Sequence, residues 1–245
     1  MRRMKLTSRL IPIALAAFAV ACTGPAQPAA PVALEISPQD FVLLPCGVET
    51  SEHPCALAVA GGKRVLFGTP AGAAGGLRAD DLRQLDAVLV FSLRAGDLEG
   101  LDEVRNRSWH AGRAAPLLVI GPTGIEDVAH ALNAAFEQAD ALYIVEDGIP
   151  PGGYDAALLD PRAAAGQGVV FNTGDIVIEA TGYGFRMAYD GRGMAHFHAC
   201  DAGPPTKEVR IGDMVWERLT CDASDSDRSW PLRAPLFILK NQVAE

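Results

Sequence analysis

The sequence has few basic residues and few histidines. Its 245 residues include 21 Lys and Arg against 30 Asp and Glu, a formal net charge of −9, and no run of basic residues is present after the first nine residues. Binding to a nucleic-acid backbone depends on clustered cations, so this composition argues against a nucleic-acid partner. The five histidines of the chain limit the imidazoles that any metal site can use.

Several short motifs of catalysis and binding are also missing. No G-x-S-x-G elbow surrounds Ser92, and the glycines of "GTPAGAAGG" are not followed by the Lys-Ser or Lys-Thr pair of a phosphate loop. No two cysteines have the C-x-x-C spacing that is common in thiolate metal sites. These absences argue against a serine hydrolase of the α/β type, a nucleotide-binding P-loop and a cysteine-bound zinc.

The N-terminal segment is rich in signals of export. "MRRMKLTSRLIPIALAAFAVAC" has four basic residues before an apolar stretch that ends in small residues, which is typical of a secretory signal. Its last residues, Ala19-Val20-Ala21-Cys22, resemble a bacterial lipobox, in which the cysteine is lipidated and begins the mature chain. We therefore expect a signal peptide over residues 1–21, a Pro- and Ala-rich tether over 22–39 and one folded domain over 40–245.

These signals predict a protein anchored to a membrane through a lipid on Cys22. Residues 1–21 carry four of the 21 basic residues and no acidic one, so the mature chain has a formal charge of −13. We expect it on the periplasmic side of the cell envelope. In a Gram-negative cell, Thr23 favours the outer membrane, because the aspartate associated with inner-membrane retention is absent.

Four cysteines remain when Cys22 is set aside: Cys46, Cys55, Cys200 and Cys221. In an exported chain this even number suggests disulfides, and four cysteines permit three pairings among which the sequence does not choose. Short loops close most easily, which favours Cys46 with Cys55 and Cys200 with Cys221.

Strand-like and helix-like segments alternate along the rest of the chain. "CALAVAGGKRVLFG" and "GFRMAYDGRGMAHFHA" read as hairpins, and "DAVLVFSL" and "APLLVIGP" as buried strands. "TGIEDVAHALNAAF" has helical spacing, with Thr123 as a candidate N-cap. His110 is expected in a loop. The pattern predicts a mixed α/β architecture with a covered sheet.

A succession of these segments resembles the metallo-β-lactamase superfamily, in particular its ribonuclease Z and arylsulfatase-like branch. "GGKRVLFGTPAG" stands where that branch has a strand and loop of the form "vLfDxGxG", and "LDAVLVFSLRAGDLEGL" where it has "idaVflTHxHxDHxxGL". "SWHAGRAAPLLVIGPTG" and "GFRMAYDGRGMAHFHACDAG" are similar to its later segments. The resemblance implies an αββα sandwich. It also implies that the C-terminal half of the fold is truncated, because no histidine follows His198.

The differences from the family lie at the metal-binding positions. Ser92 and Arg94 stand on the first two histidines of the motif, Gly96 on its aspartate and Asp97 on its last histidine. Gly68 stands where the preceding strand has aspartate, and only Asp201 falls on a ligand position that is retained. Arginine brings a permanent positive charge to the place of a dication, and we expect Asp97 to pair with Arg94 or Arg105 instead.

These differences lead to three hypotheses about the function of the protein. The preferred hypothesis is a non-catalytic binding or structural protein without a cofactor. An alternative is a hydrolase that holds zinc or another divalent metal at a rebuilt site formed by Asp97, His196, His198 and Asp201. The second alternative is an assembly lipoprotein that acts through an exposed apolar patch. The tail "SWPLRAPLFILK" is either a closing strand of the sheet or a strand offered to a partner.

Overall fold

The apolar runs of the sequence form two β-sheets in the computed structural model, which describes residues 34–46, 55–164, 166–182, 184–198, 206–211, 214–220, 232 and 234–240. Residues Ile36–Glu245 belong to one compact unit. The strands are β1 (Phe41–Pro45), β2 (Ala56–Ala60), β3 (Lys63–Phe67), β4 (Ala87–Leu89), β5 (Leu117–Gly121), β6 (Leu159–Ala163), β7 (Gly168–Asn172), β8 (Ile176–Thr181), β9 (Gly184–Tyr189), β10 (Gly193–His198), β11 (Thr206–Ile211), β12 (Met214–Thr220) and β13 (Leu236–Leu239).

The first sheet has seven strands in the order β13-β1-β2-β3-β4-β5-β6. The β2–β3 hairpin turns at Gly61 and Gly62, whose φ values of 54° and 73° suit the tight turn predicted there. Strands β3 to β6 are parallel. Every residue of β2 and β4 is buried, because both faces of this sheet are covered.

Helices follow the strands of the first sheet. They are α1 (Ala79–Arg83), α2 (Ala95–Leu98), α3 (Leu101–His110), α4 (Ile125–Asp147) and a 3-10 turn at Asp155–Ala157. Helix α4 packs on β5 and β6, and α3 packs on α1 and the 3-10 turn. In the described part of the chain after Ala157, no further helix is present.

Two local predictions for this region are wrong. His110 is the last residue of α3 and not part of a loop, and its ring stacks on Tyr143 of α4 at a centroid distance of 3.8 Å. Thr123 does not cap α4. The N-cap is Gly124, with φ of 100° and no side-chain cap, and its left-handed backbone starts the helix one residue later.

The second sheet is antiparallel throughout, in the order β12-β11-β10-β9-β8-β7. The β9–β10 hairpin turns at Asp190 and Gly191, as the "YDGRG" pattern predicted. Alternate residues of β8 and β9 are buried, so one face of this sheet lies on the first sheet. Phe67 and Phe197, from the two sheets, stack at 3.8 Å within the shared core.

The mixed α/β prediction with two facing sheets is therefore confirmed. The tail forms the closing strand of the first sheet, since β13 pairs antiparallel with β1. A disulfide joins Cys46 to Cys55, with a Cα–Cα distance of 5.8 Å, as the short-loop argument predicted. Cys22, Cys200, Asp201 and Cys221, for which the sequence also predicted a role, lie outside the described residues.

Candidate functional site

The carboxyl ends of β3, β4 and β5 meet at one edge of the first sheet because these strands are parallel. Gly68 follows β3, and its amide donates to the carbonyl of Leu89 at 2.8 Å. Its φ of 82° lies in the left-handed region. Glycine adopts this conformation without cost, whereas the aspartate of the family motif would be strained there.

Ser92 and Asp97 come together at this edge. The hydroxyl of Ser92 donates to Asp97 Oδ2, and the Asp97 side chain is only 1% exposed. The hydroxyl of the buried Thr69 donates to the backbone carbonyl of Asp97 at 2.6 Å. The carboxylate and its backbone are thus tied to the two loops that follow β3 and β4.

Arg94 and Gly96 are less buried than Asp97. Arg94 is exposed and is the N-cap of α2, where its backbone amide donates to Ser92 Oγ at 3.2 Å. Gly96 lies in the first turn of α2 and has no side chain that could act as a ligand. Ser92 therefore accepts from the Arg94 amide through Oγ and donates to the Asp97 carboxylate.

A close backbone approach fixes the segment that follows. Gly100 lies between α2 and α3, and its amide donates to the carbonyl of Thr69 at 2.9 Å. A Cβ at this position would lie 2.1 Å from the carbonyl oxygen of Pro70, so only glycine fits without a shift. The distance between the two loops is a tertiary property, so the sequence alone does not show why position 100 requires glycine.

Arg105, one of the two expected partners of Asp97, forms a buried ion pair with Asp140 of α4. Its guanidinium donates to the two carboxylate oxygens at 2.6 Å and 3.0 Å, and the side chains are 0% and 3% exposed. Arg113 lies nearby and donates to Ser108 Oγ at 3.1 Å. Burial, together with the charge of Arg105, lowers the pKa of Arg113 to about 10.

His196 lies on the outer face of the second sheet. Its neighbours in β10, Ala195 and Phe197, are buried in the core between the sheets, so the intervening side chain projects to the other side. Its Nε2 is 3.2 Å from Met194 Sδ. Asp97 instead lies at the strand ends of the first sheet. Asp201 and the side chain of His198 are outside the described part of the structure.

Among the residues that the structure describes, Asp97 is the one motif position at the strand ends that offers a ligand typical of zinc. Zinc sites use imidazoles, thiolates and carboxylates, and here one carboxylate is engaged by a serine hydroxyl. Among the described residues, no group of three or more His, Cys, Asp or Glu is placed to hold a metal ion. Among the helices that the structure describes, none is long and apolar enough to cross a membrane.

A pocket of about 580 Å³ opens beside the Ser92 loop. The aromatic rings of Phe91 and Phe185 lie side by side in it, with centroids 5.4 Å apart. Thr123, Gln167 and Thr181 contribute polar side chains. The lining residues that the structure describes are apolar or neutral and polar.

The known proteins that this chain resembles are solved structures with low sequence identity to it. No family model matches the chain, and no curated protein matches it. The metallo-β-lactamase fold protein YhfI from Bacillus subtilis aligns with a TM-score of 0.46 and 12% identity, over 65% of this chain and 62% of that one. The chain therefore spans less than two thirds of the YhfI structure.

Two further solved structures are similar at comparable levels. The short form of human tRNase Z aligns with a TM-score of 0.41 and 15% identity, over 71% of this chain and 69% of that one. A diphosphatase of the PhnP family aligns with a TM-score of 0.39 and 13% identity, over 71% of this chain and 64% of that one.

Proposed function

We propose that this chain is an exported, lipid-anchored protein of the metallo-β-lactamase fold that holds no catalytic metal and acts as a binding or structural protein. The observation that carries the proposal is the hydrogen bond between Ser92 and the buried Asp97. This bond engages Oδ2 of the carboxylate at the position where the sequence motif of the family places a metal ligand.

The chemistry of the motif residues supports the same conclusion. A hydrolytic metal centre needs several neutral imidazoles or carboxylates and one position left open for water. Serine is a poor ligand and glycine is none. The guanidinium of Arg94 is permanently charged and is exposed two residues from Ser92, which disfavours a dication at the same edge.

Metal analysis tests this proposal. We expect the purified chain, loaded with zinc, manganese or iron and then desalted, to retain no stoichiometric metal, and its thermal melt to be unchanged by EDTA. A bound metal would stabilise the fold by RT ln(1 + [L]/Kd), which a chelator removes. One tightly held equivalent of metal, or a melting temperature that falls with EDTA, would refute the metal-free proposal.

The rebuilt hydrolase site is the competing hypothesis. It predicts that metal retention depends on Asp97, His196, His198 and Asp201 together. The variants His196→Ala and Asp97→Asn should then each lose a bound metal that the wild type holds, while the surface variant His130→Ala should keep it. Metal retention that is lost in the first two variants and kept in the third would establish the rebuilt metal site on which the hydrolase alternative depends.

The uncharged pocket supports a binding role over a purely structural one. An uncharged fluorescent probe such as N-phenyl-1-naphthylamine should bind with a gain of emission, and a bulky substitution, Thr181→Trp, should reduce that gain. The anionic probe ANS should compete poorly, because the described lining residues carry no positive charge. Equal binding in wild type and Thr181→Trp would leave the pocket without a ligand role.

Membrane attachment is tested separately. The variant Cys22→Ser should leave the membrane fraction or remain unprocessed, whereas Cys22 in the wild type should carry the lipid by mass spectrometry. An unlipidated wild type that remains in the membrane fraction would contradict the anchor. The assembly alternative has support of its own, because the outer side of α4 exposes apolar side chains.

A further inference from the structure

The C-terminal end of helix α4 exposes apolar side chains on the side that faces away from the sheet. Three of the five large hydrophobic side chains that are exposed in the described residues lie at its C-terminal end: Leu142 is 61% exposed, Val145 83%, and Ile149, just beyond the helix, 57%. Buried Asp140 marks the opposite, inner side through its pair with Arg105. A helix that is apolar on both sides is usually covered on both.

The N-terminal half of the same side is formed by small residues. Ala131 and Ala135 are exposed, and Gln138 is exposed between them and Leu142. The positions 131, 135, 138, 142 and 145 follow the alternating spacing of four and three residues by which two helices pack along their length. We call this row the outer stripe of α4.

We propose that the outer stripe is the twofold interface of a homodimer in which α4 packs antiparallel against α4 of a second copy. The large residues lie at one end of the stripe and the small ones at the other. An antiparallel pair centred on Gln138 therefore places Val145 opposite Ala131 and Leu142 opposite Ala134, beside Ala135, in both halves at once. A twofold interface requires this kind of self-complementarity.

The centre of the stripe also suits such a pair. Gln138 would meet its own symmetry mate, and a carboxamide can both donate and accept a hydrogen bond, so the two amides satisfy each other. A parallel pair would instead place Leu142 against Leu142 and alanine against alanine. The helices would then be held apart at one end and leave a gap along the other.

A lipid surface is a poorer occupant of the stripe. Interfacial helices carry Lys and Arg beside their apolar side, and α4 contains neither residue in its 23 positions. The exposed Asp127 and Glu146 flank the stripe and would be repelled by anionic lipids. A second copy of the chain requires no basic flank, because the two acidic residues lie near the ends of the antiparallel pair.

The size of the stripe sets the strength of the dimer. At about 1.5 Å per residue the helix is roughly 34 Å long, and a contact about 10 Å wide covers roughly 350 Å² on each copy. A stable pair commonly buries about 800 Å² on each partner. The dimer is therefore weak, and it dissociates on dilution. It depends on neither a metal nor a lipid, so its failure would leave the proposed function untouched.

Sedimentation velocity on the full-length chain in detergent tests the interface. The weight-average mass of the wild type should rise towards twice the monomer mass as concentration increases. The double variant Leu142→Glu and Val145→Glu should stay monomeric over the same range. Val169→Glu is the matched control, because Val169 is 56% exposed on β7, far along the chain from α4, and it should associate as the wild type does.

Disulfide trapping tests the register. Gln138→Cys should give a covalent dimer under mild oxidation, whereas Glu137→Cys, which is also exposed but lies about 100° around the helix, should remain at the wild-type background. A wild type that stays monomeric at every concentration would overturn the proposal. So would equal trapping of both cysteines, or a monomer that sediments with phosphatidylcholine–phosphatidylglycerol vesicles only while Leu142 and Val145 are present.

Discussion

At the scale of single residues, burial decides what the altered motif positions contribute. Asp97 is buried and accepts a hydrogen bond, whereas Arg94 is exposed on the turn before α2. Any ion pair that the exposed guanidinium of Arg94 makes contributes only about 0 to 1 kcal/mol to the stability of the fold, because water screens the charges. The hydroxyl of Ser92 would lose its acceptor if the Asp97 carboxylate were removed.

We predict that Arg94→Ala changes the free energy of unfolding by less than about 0.5 kcal/mol. Asp97→Ala should cost about 1 to 3 kcal/mol, since it leaves a polar group without its partner in a buried site. Asp97→Asn keeps an acceptor for Ser92 and should lie between the two. Urea unfolding of the three variants measures the differences, and a large loss for Arg94→Ala would contradict the assignment.

The buried pair of Arg105 and Asp140 gives a second prediction at this scale. Asp140→Ala should cost about 3 to 5 kcal/mol, because it leaves the Arg105 charge buried without its carboxylate partner and close to Arg113. The double variant Arg105→Met with Asp140→Leu should be more stable than Asp140→Ala alone. Thermal melts of the single and double variants test this, and additive losses would show that the pair is not coupled.

At the scale of elements, the junction of α2 and α3 depends on a missing side chain. Gly100→Ala would drive a Cβ to 2.1 Å from Pro70 O, and overpacking of this kind costs about 1 to 3 kcal/mol. Gly182→Ala is the control, because its Cβ would meet only Gln167 Nε2 at 3.7 Å. Chemical denaturation should separate the two variants, and equal stabilities would mean that the loop after β3 yields readily.

Helix α1 is held to the first sheet by charge. Buried Asp81 accepts from Arg64 Nε of β3 at 2.9 Å and from Arg78 Nε at 2.8 Å. Burial of the carboxyl raises its pKa, but the hydrogen bonds and charges of Arg78 and Arg64 outweigh burial, so the pKa is lowered from 3.8. The ionised form is therefore the one that stabilises the fold.

At the scale of the whole molecule, this carboxyl contributes to acid sensitivity. A lowered folded-state pKa means that its stabilisation is present above the unfolded value of 3.8 and is lost as pH falls through the folded value. We predict that Asp81→Asn is less stable than the wild type at pH 7 and that the difference shrinks below about pH 4. Unfolding measured from pH 2 to 7 tests this, and a difference independent of pH would exclude the carboxylate as its source.

At this scale, the sequence predicted those parts of the fold that local sequence pattern determines. Runs without alternation predicted the strands β4 and β5, which are largely buried, and the Gly61-Gly62 and Asp190-Gly191 pairs predicted the two hairpin turns. These signals are local, since side-chain period and turn conformation depend on neighbours in the chain. The disulfide between Cys46 and Cys55 was also predictable, because only nine positions separate the two cysteines.

The tertiary structure alone decided which side chains meet. It paired Ser92 with Asp97 and Arg105 with Asp140, 35 residues apart, and it left Leu142 and Val145 exposed on α4. Helical period placed apolar residues on a face of α4, but it could not say how far the helix runs or that a second apolar side remains uncovered. Such contacts depend on the packing of elements distant in sequence, which local period does not encode.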